Sequence, residues 1–121
     1  MIASYTCTTL DCPDHDALSG FYSKVLGWNI VHRDDNVAYL ANDAGLKLGF
    51  QKVDNFAAPV WPKGEIPQQF HLDLEAKDLA AAEKELLAAG AVKAEYQPGG
   101  DYWIVFLDPA GHPFCIAPPM N

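Results

Sequence analysis

The sequence predicts an α+β fold in which two βαβββ modules pair to form a cup-shaped eight-stranded sheet. The first observation is a repeat, since residues 10–14 (LDCPD) return sixty-four positions later as residues 74–78 (LEAKD), and a helical pattern follows each copy. The second observation is that the turn signal at 42–45 (NDAG) returns sixty-six positions later at 108–111 (DPAG). Because each repeated unit needs its neighbour to bury an apolar face, we expect a site in the space between the modules.

The first module, residues 1–52, is predicted to begin with a strand over residues 2–11, which carry Thr, Tyr, Ile and Leu. Asp14 is a good N-cap for the helix that follows, and Gly27 is suited to end it. Apolar residues recur at helical spacing on one face of this helix. They are Leu18, Phe21, Tyr22 and Val25. Turn signals then separate three short predicted strands, Trp28–His32, Val37–Ala41 and Leu46–Gln51.

The second module, residues 68–121, is predicted to repeat this order. A strand over 68–75 precedes a helix over 78–89 that is rich in strong helix formers. Three more predicted strands follow, near 92–97, 102–107 and 113–117. The linker between the modules, residues 53–67, contains three prolines and Trp61. Proline prevents regular strand pairing, so we expect the linker to be irregular.

Composition and charge limit the class of protein. With 121 residues, 50% of them hydrophobic, the chain can bury a core as one domain, and no apolar stretch approaches the length of a membrane span or a signal peptide. Three cysteines without paired spacing argue against a disulfide framework and favour a cytoplasmic location. A net charge of −8 with a single arginine argues against nucleic acid and anionic membranes as partners. A small-molecule ligand is the partner that we expect.

Alternation along two strands of the second module predicts which side chains share a face. Apolar residues take every second position over 70–75 and 113–117. Successive side chains of a strand point to opposite faces, so the apolar set should pack on the helix and the other set should face the cup. A register shift of one residue would reverse this assignment. The set expected to face the cup is His71, Asp73, Glu75, Cys115 and Ala117.

Three motifs together resemble the vicinal oxygen chelate superfamily, which includes glyoxalase I, bleomycin-resistance proteins, fosfomycin-resistance proteins and extradiol dioxygenases. The motifs are Asp14 with Phe21-Tyr22-x-x-x-Leu26-Gly27-Trp28, then Phe70-His71-Leu72-Asp73-Leu74, then Asp108-Pro109-Ala110-Gly111-His112-Pro113-Phe114-Cys115. The resemblance covers essentially the whole chain and is greatest to the glyoxalase-like branch. It implies a single domain with the glyoxalase/bleomycin resistance/dihydroxybiphenyl dioxygenase fold, and it also implies a homodimer.

The resemblance further implies where a metal would be held, because metal-dependent members take ligands from the first and last strands of each module. The repeat spacing maps these positions to Cys7 and Gly49 in the first module and to His71 and Cys115 in the second. Gly49 has no side chain, so the usual ligand set is broken and no cofactor is expected. The alternative is a divalent metal such as zinc on Cys7, His71 and Cys115, since two thiolates and an imidazole leave a fourth position open.

Two functions of different classes therefore remain open, and the sequence leaves undecided whether the protein is an enzyme. The first is metal-free binding of a small organic molecule in an aromatic-lined cup. Its expected ligand-binding residues are Lys47, Gln51, Trp61 and Trp103. The second is a small lyase or isomerase in which His71 is the general base and Asp73 its orienting partner, with or without an atypical metal. Glyoxalase I activity itself is not expected, because Gly49 removes one of the four metal positions.

Overall fold

The structure is a computed structural model that describes residues 1–119 of the chain. The chain divides into two compact units, Met1–Phe56 and a second unit that starts at Ala57. The first unit contains β1 (Thr8–Cys12), α1 (His15–Leu26), β2 (Asn29–Arg33), β3 (Val37–Ala41) and β4 (Lys47–Lys52). The second contains β5 (Leu72–Glu75), α2 (Leu79–Ala89), β6 (Val92–Lys93), β7 (Ile104–Leu107) and β8 (Pro113–Ala117).

Each unit contains one four-stranded sheet in which the first strand lies beside the last. The strand order is β1-β4-β3-β2 in the first unit and β5-β8-β7-β6 in the second. The pairs β1/β4 and β5/β8 are parallel, whereas the other neighbours are antiparallel. The two units thus have the same topology. This confirms the predicted α+β class and the two βαβββ modules.

Both helices begin and end at the residues that the sequence marks for this purpose. The Asp14 side chain accepts hydrogen bonds of 3.1 Å from two backbone N–H groups in the first turn of α1. Asp78 caps α2 in the same way, with a bond of 3.0 Å. The chain leaves α1 at Gly27 (φ 71°) and α2 at Gly90 (φ 113°). Only glycine adopts this left-handed conformation without strain, so both helices end there.

Each unit buries its own aromatic pair between sheet and helix side chains. In the first unit the rings of Tyr22 and Phe50 stack with centroids 5.6 Å apart. The leucines Leu10, Leu18 and Leu40 of the same unit are also fully buried. In the second unit Phe106 and Phe114 stack at 5.7 Å, and Leu86 is the buried residue of α2. Burial of these large apolar side chains supplies the main stabilisation of each unit.

Two strands begin later than predicted because their partner strands begin late. β1 begins at Thr8 and not at residue 2, since its partner β4 begins only at Lys47. β5 begins at Leu72 and not at residue 68, because its partner β8 begins at Pro113. A strand lasts only as long as a neighbour offers backbone groups to pair with.

β6 has two residues, whereas the sequence predicts a strand over 92–97. A side chain takes over the missing pairing. Oε1 of Gln97 accepts a hydrogen bond of 2.9 Å from the Val105 N–H, and its Nε2 donates bonds of 2.8 Å to the carbonyls of Val105 and Ala94. The Gln97 amide therefore satisfies the edge of β7 without a regular strand.

The segment between β4 and β5, residues 53–71, contains neither strand nor helix. The boundary between the two compact units falls inside it, after Phe56. Its three prolines lack the N–H that strand pairing needs, which explains the irregular backbone. Within residues 1–119, neither helix combines the length and the apolar character that crossing a membrane requires.

Candidate functional site

A pocket of about 680 Å³ lies on the sheet of the second unit. All of its lining residues belong to that unit, and they combine two indole rings with several polar side chains. Among them are Trp61, Trp103, His71, Asp73, Glu75 and Cys115. The lining residues include every member of the alternating set that the sequence assigns to one face of the sheet. The pocket is therefore the best-supported candidate site in the described part of the chain.

Three side chains that can bind metal or carry protons meet in this pocket. Asp73 lies directly opposite Cys115 in the parallel pair β5/β8. His71 precedes Asp73 by two residues, so both point to the same face of the sheet. Nε2 of His71 is 3.2 Å from Oδ1 of Asp73, and one ligand atom from each of the three residues lies within 4.8 Å of the others. We call this group the His71–Asp73–Cys115 trio.

The members of the trio differ in their access to water. The side chains of His71 and Asp73 are 41% and 76% exposed, so the ion pair that forms when His71 is protonated adds little to stability. Burial raises the pKa of the Cys115 thiol, and the neighbouring Asp73 carboxylate raises it further. Cys115 is therefore a neutral thiol at pH 7. It becomes a strong nucleophile or ligand only when a base or a metal removes its proton.

The two indole rings reach the pocket from irregular segments, and local packing holds each of them. The Trp61 ring contacts the Tyr96 ring, with centroids 5.6 Å apart and planes tilted by 40°. The Trp103 ring packs directly on the buried Gly99. A Cβ atom at position 99 would lie 2.6 Å from Cε2 of Trp103, which is too close for a side chain. The absence of a Cβ at Gly99 thus permits the observed position of Trp103.

The other predicted site residues belong to the first unit. Cys7 immediately precedes β1, and its Sγ lies 3.8 Å from Oγ1 of Thr9 within that strand. Lys47 and Gln51 are exposed residues of β4 that lie two positions to either side of Gly49. Because side chains alternate along a strand, Lys47 and Gln51 share the face of Gly49. Their part in ligand binding stays a prediction.

The first unit fills the position that corresponds to Cys115 with a neighbouring aromatic ring. Gly49 of β4 lies opposite Thr9 of β1 and Tyr39 of β3. A Cβ at position 49 would be 2.6 Å from Oγ1 of Thr9 and 2.8 Å from Cε1 of Tyr39. In the second unit, Val105 has the register position of Tyr39 beside Cys115. The smaller valine leaves room for the Cys115 side chain, whereas Tyr39 leaves none at position 49.

The donor atoms of the trio fit zinc better than manganese. His71, Asp73 and Cys115 offer one nitrogen, one oxygen and one sulfur, a mixture that suits zinc with a fourth position open. Hard ions such as Mn²⁺ prefer shells made mainly of oxygen. Ligand atoms bound to one zinc lie roughly 3–4 Å apart, given zinc–ligand bonds of about 2.0–2.3 Å. The present spacing of up to 4.8 Å is wider than this, so the three side chains would have to approach one another to hold a zinc ion.

The whole sheet region of the chain matches one known family. Residues 7–117 match the model of the glyoxalase-like domain. The chain belongs to the glyoxalase-like domain family. This confirms the predicted resemblance to the vicinal oxygen chelate superfamily. None of the curated proteins matches this sequence.

Solved structures with the same fold support this assignment. A possible glyoxalase from Bacillus cereus has a TM-score of 0.69 at 17% identity and covers 95% of this chain and 99% of its own. An enzyme from Burkholderia phytofirmans PsJN, of the glyoxalase/bleomycin resistance protein/dioxygenase family, has a TM-score of 0.70 at 22% identity. The match covers 98% of this chain and 100% of that enzyme's chain. A variant of the fosfomycin resistance protein FosX from Listeria monocytogenes has a TM-score of 0.74 at 15% identity. The match covers 99% of this chain and 93% of the FosX chain. At these identities the likeness establishes the fold alone.

The sequence left the roles of three pocket residues unassigned. Asp73 is predicted as a proton-transfer partner only, although its spacing of two residues from His71 also indicated that it could share a metal. Glu75, which the same period places on the cup face, was not named as a site residue, yet it lines the pocket. Gln68 lies in the irregular segment, where no periodic signal could indicate its position, yet it also lines the pocket.

Proposed function

We propose that this glyoxalase-like protein binds a small organic molecule in the pocket of its second unit. The supporting observation is that Trp61 and Trp103 line the same pocket of about 680 Å³ as the polar pair His71 and Asp73. Ligand sites are typically concave, mostly apolar, and equipped with a few polar groups that orient the ligand. Indole rings offer large flat surfaces for stacking, while the polar pair offers hydrogen bonds at one end. The FosX variant from Listeria monocytogenes, which has this fold, is described as a complex with Mn(II) and 1S,2S-dihydroxypropylphosphonic acid.

A screen of small organic molecules by thermal shift and tryptophan fluorescence tests this proposal. Ligands of the pocket should raise the melting temperature and change the emission of the wild-type protein. The variant Trp103→Ala should lose at least tenfold in affinity. Trp28→Phe is the matched control, because it removes an indole that belongs to the first unit. Equal loss in both variants, or binding that Trp103→Ala leaves unchanged, would contradict the proposed site.

The second candidate function is a metal-assisted lyase or isomerase, and the His71–Asp73–Cys115 trio is the observation that favours it. All three residues would hold the metal, and a bound zinc supplies a Lewis acid for a carbonyl or hydroxyl oxygen. In the metal-free form of this function, His71 takes a proton from the substrate at Nδ1. Asp73, 3.2 Å from Nε2, orients the imidazole and stabilises its protonated state.

Metal content separates the two candidates. Tag-free protein is analysed by elemental mass spectrometry before and after incubation with zinc, nickel, manganese and iron. Near-stoichiometric zinc that is lost in His71→Ala would support the metal-assisted function. An absence of metal under all four conditions would leave the metal-free pocket. A His71→Ala variant that keeps ligand affinity but loses turnover would instead support metal-free catalysis.

We also propose that the chain functions as a cytoplasmic homodimer. β2 is an edge strand whose five residues are all exposed, including Val31 at 57%. An edge strand of this kind offers unpaired backbone groups to a second chain. The absence of disulfide bonds among the three cysteines agrees with a reducing compartment. Analytical ultracentrifugation of the wild type and of Val31→Lys tests the dimer, since the lysine should shift the protein to a monomer.

A further inference from the structure

We infer that the ligand of the second-unit pocket is an organic cation, an ammonium group with N–H donors attached to a flat apolar body. This inference rests on the proposed function, because it names the chemical class of the molecule that the pocket takes. It follows from three independent properties of the lining residues, which are their charge, their hydrogen-bonding character and their aromatic surfaces.

The charge of the lining is negative. Asp73 and Glu75 lie two residues apart on β5 and both line the pocket. Among the lining residues that the structure describes, none is lysine or arginine. A carboxylate ligand would therefore meet two like charges without a counter-charge, whereas an ammonium group would meet two opposite charges. The net charge of −8 for the whole chain adds long-range attraction for cations and repulsion for anions.

The polar groups of the lining are mainly hydrogen-bond acceptors. Ionised carboxylates accept and cannot donate, so Asp73 and Glu75 both need donors. When Nε2–H of His71 donates to Asp73, Nδ1 of the neutral ring is a third acceptor. Three groups of the lining therefore accept hydrogen bonds, and an ammonium group is the kind of ligand that donates to all of them.

The aromatic surfaces suit a cation with an apolar body. Trp61 and Trp103 line the same pocket as the carboxylates. The face of an indole ring attracts a positive charge, and it also stacks on flat apolar groups. Pro98, Pro113 and Val105 supply the remaining apolar contact surface. A protonated aryl-alkyl amine combines both features in one molecule.

A matched series of ligands tests the inference. The probes are phenyl and naphthyl compounds that differ only in the terminal group of a short alkyl chain, which is an ammonium, a hydroxyl or a carboxylate. Binding to chelator-treated protein is measured by calorimetry and ligand-observed NMR. We expect the ammonium compound of each pair to bind at least tenfold more tightly than the alcohol, and the carboxylate to bind most weakly. Affinity of the ammonium compound should fall as salt concentration rises.

Charge-neutralising variants locate the effect. The double variant Asp73→Asn/Glu75→Gln should remove most of the preference for the ammonium compound over the alcohol. Glu85→Gln is the matched control, because it removes one negative charge from the exposed surface of α2, outside the pocket lining.

The outcomes distinguish this inference from the proposed function. If alcohols or carboxylates bind as tightly as the ammonium compounds, the pocket binds organic molecules but the inferred ligand class is wrong. The same conclusion follows if Glu85→Gln reduces ammonium binding as much as the double variant does. If none of the compounds binds at millimolar concentration, the inferred ligand class is wrong, and the proposed function then depends on the separate screen of organic molecules.

Discussion

Asp73 and Cys115 are direct partners in the parallel pair β5/β8, although forty-two positions separate them in the sequence. Thr9 and Gly49 form the corresponding pair in the first unit. The parallel pairing of first and last strands thus brings two distant side chains together in each unit. In the second unit the pair is a carboxylate and a thiol, whereas in the first the glycine is covered by a ring of β3. The second unit therefore has two side chains that can bind a metal or carry a proton at this pair of positions, whereas the first unit has a glycine in place of the thiol.

We predict that Gly49→Ala destabilises the protein by about 1–3 kcal/mol, as overpacking of a filled site generally does. The new Cβ would lie 2.8 Å from Cε1 of Tyr39 and 2.6 Å from Oγ1 of Thr9, so at least one neighbour must move. Chemical denaturation measures the change in unfolding free energy. Adding Tyr39→Val, which copies the residue beside Cys115, should recover part of the loss by vacating the space.

Gly20→Ala is the matched control for this substitution. Gly20 lies within α1, and no atom approaches within 4 Å of a Cβ placed there. Alanine should therefore stabilise the helix by up to about 1 kcal/mol. Destabilisation of similar size at both positions would mean that the effect at Gly49 is not steric. If Tyr39→Val recovers none of the lost unfolding free energy, the clash with Thr9 is the one that destabilises Gly49→Ala.

We predict that any zinc affinity of the trio increases with pH up to the raised pKa of Cys115. Zinc binds the thiolate, so binding must release the proton that burial and Asp73 hold on the thiol. Isothermal titration calorimetry at several pH values, in buffers of different ionisation enthalpy, measures both the affinity and the proton release. Cys115→Ser and His71→Ala should each lower the affinity at least tenfold.

Two further variants separate the possible ligand sets. Cys7→Ser tests the prediction from the sequence that Cys7 is a ligand, whereas Asp73→Asn tests the trio of the second unit. His32→Ala is the control, since His32 is an exposed histidine of the first unit that pairs with Asp34. A tenfold loss in Cys7→Ser without loss in Asp73→Asn would favour the predicted ligand set over the trio. Equal loss in His32→Ala would indicate nonspecific binding.

The repeat and the alternation of residues predicted the fold and the face of the site, because both are properties of backbone periodicity. The positions of His71, Asp73 and Cys115 on one face follow from a spacing of two along neighbouring strands. The strand starts were less accurate, since β1 and β5 begin only where their partners begin, and a partner's limits cannot be read from the strand itself. β6 is short because the Gln97 side chain pairs with the backbone of β7, and strand propensities do not predict such a side-chain contact.

The parts of the site that the sequence could not supply lie in irregular backbone. Trp61 and Trp103 were candidates as aromatic residues, but their positions depend on packing against Tyr96 and Gly99. Gln68 was identified only from the structure, in which it lines the pocket and its Oε1 is buried without a hydrogen-bond donor among the described residues. The glycine at position 49 was recognised as a missing ligand, whereas the ring of Tyr39 that requires it depends on the register of β3 with β4.

We predict that Asp34 stabilises the turn between β2 and β3 in a pH-dependent way. The Asn36 N–H, followed by His32 and the Val37 N–H, lowers the pKa of Asp34 to about 2. A carboxyl with a lowered pKa in the folded state contributes stability above its unfolded pKa of about 4, and that contribution is lost as the pH falls toward 2. The melting temperature of Asp34→Asn should therefore lie below that of the wild type at pH 6 and approach it near pH 2.

Asp35→Asn is the matched control for the acid series. Asp35 is the exposed neighbour with the same charge, so its substitution alters the net charge of the protein equally. The difference in melting temperature between Asp35→Asn and the wild type should be small at pH 6 and should stay small at pH 2. A difference for Asp34→Asn that persists unchanged at pH 2 would show that its effect is not the loss of the ionised carboxylate.

We predict that Gln97→Leu costs about 1–3 kcal/mol of unfolding free energy, because it leaves the buried Val105 N–H without its acceptor. The Gln97 amide makes three hydrogen bonds of 2.8–2.9 Å, two of them with the buried Val105. Gln69→Leu, at an exposed position of the irregular segment, should change stability by less than about 0.5 kcal/mol. Hydrogen exchange of the Val105 amide should accelerate in Gln97→Leu alone. Unchanged exchange there would mean that the side chain does not protect β7.

We predict that Gly99→Ala displaces Trp103 and weakens ligand binding in the pocket. The alanine Cβ would lie 2.6 Å from Cε2 of the ring and 2.6 Å from the Trp103 carbonyl oxygen, so the indole must leave its position. The displaced ring should become more exposed than its present 38%, which shifts its emission to longer wavelength. In a Trp103→Phe background, Gly99→Ala should leave the emission maximum unchanged, and the double-mutant cycle isolates the contact between the two residues. An equal shift in both backgrounds would mean that Gly99→Ala acts on the pocket by another route, such as Trp61.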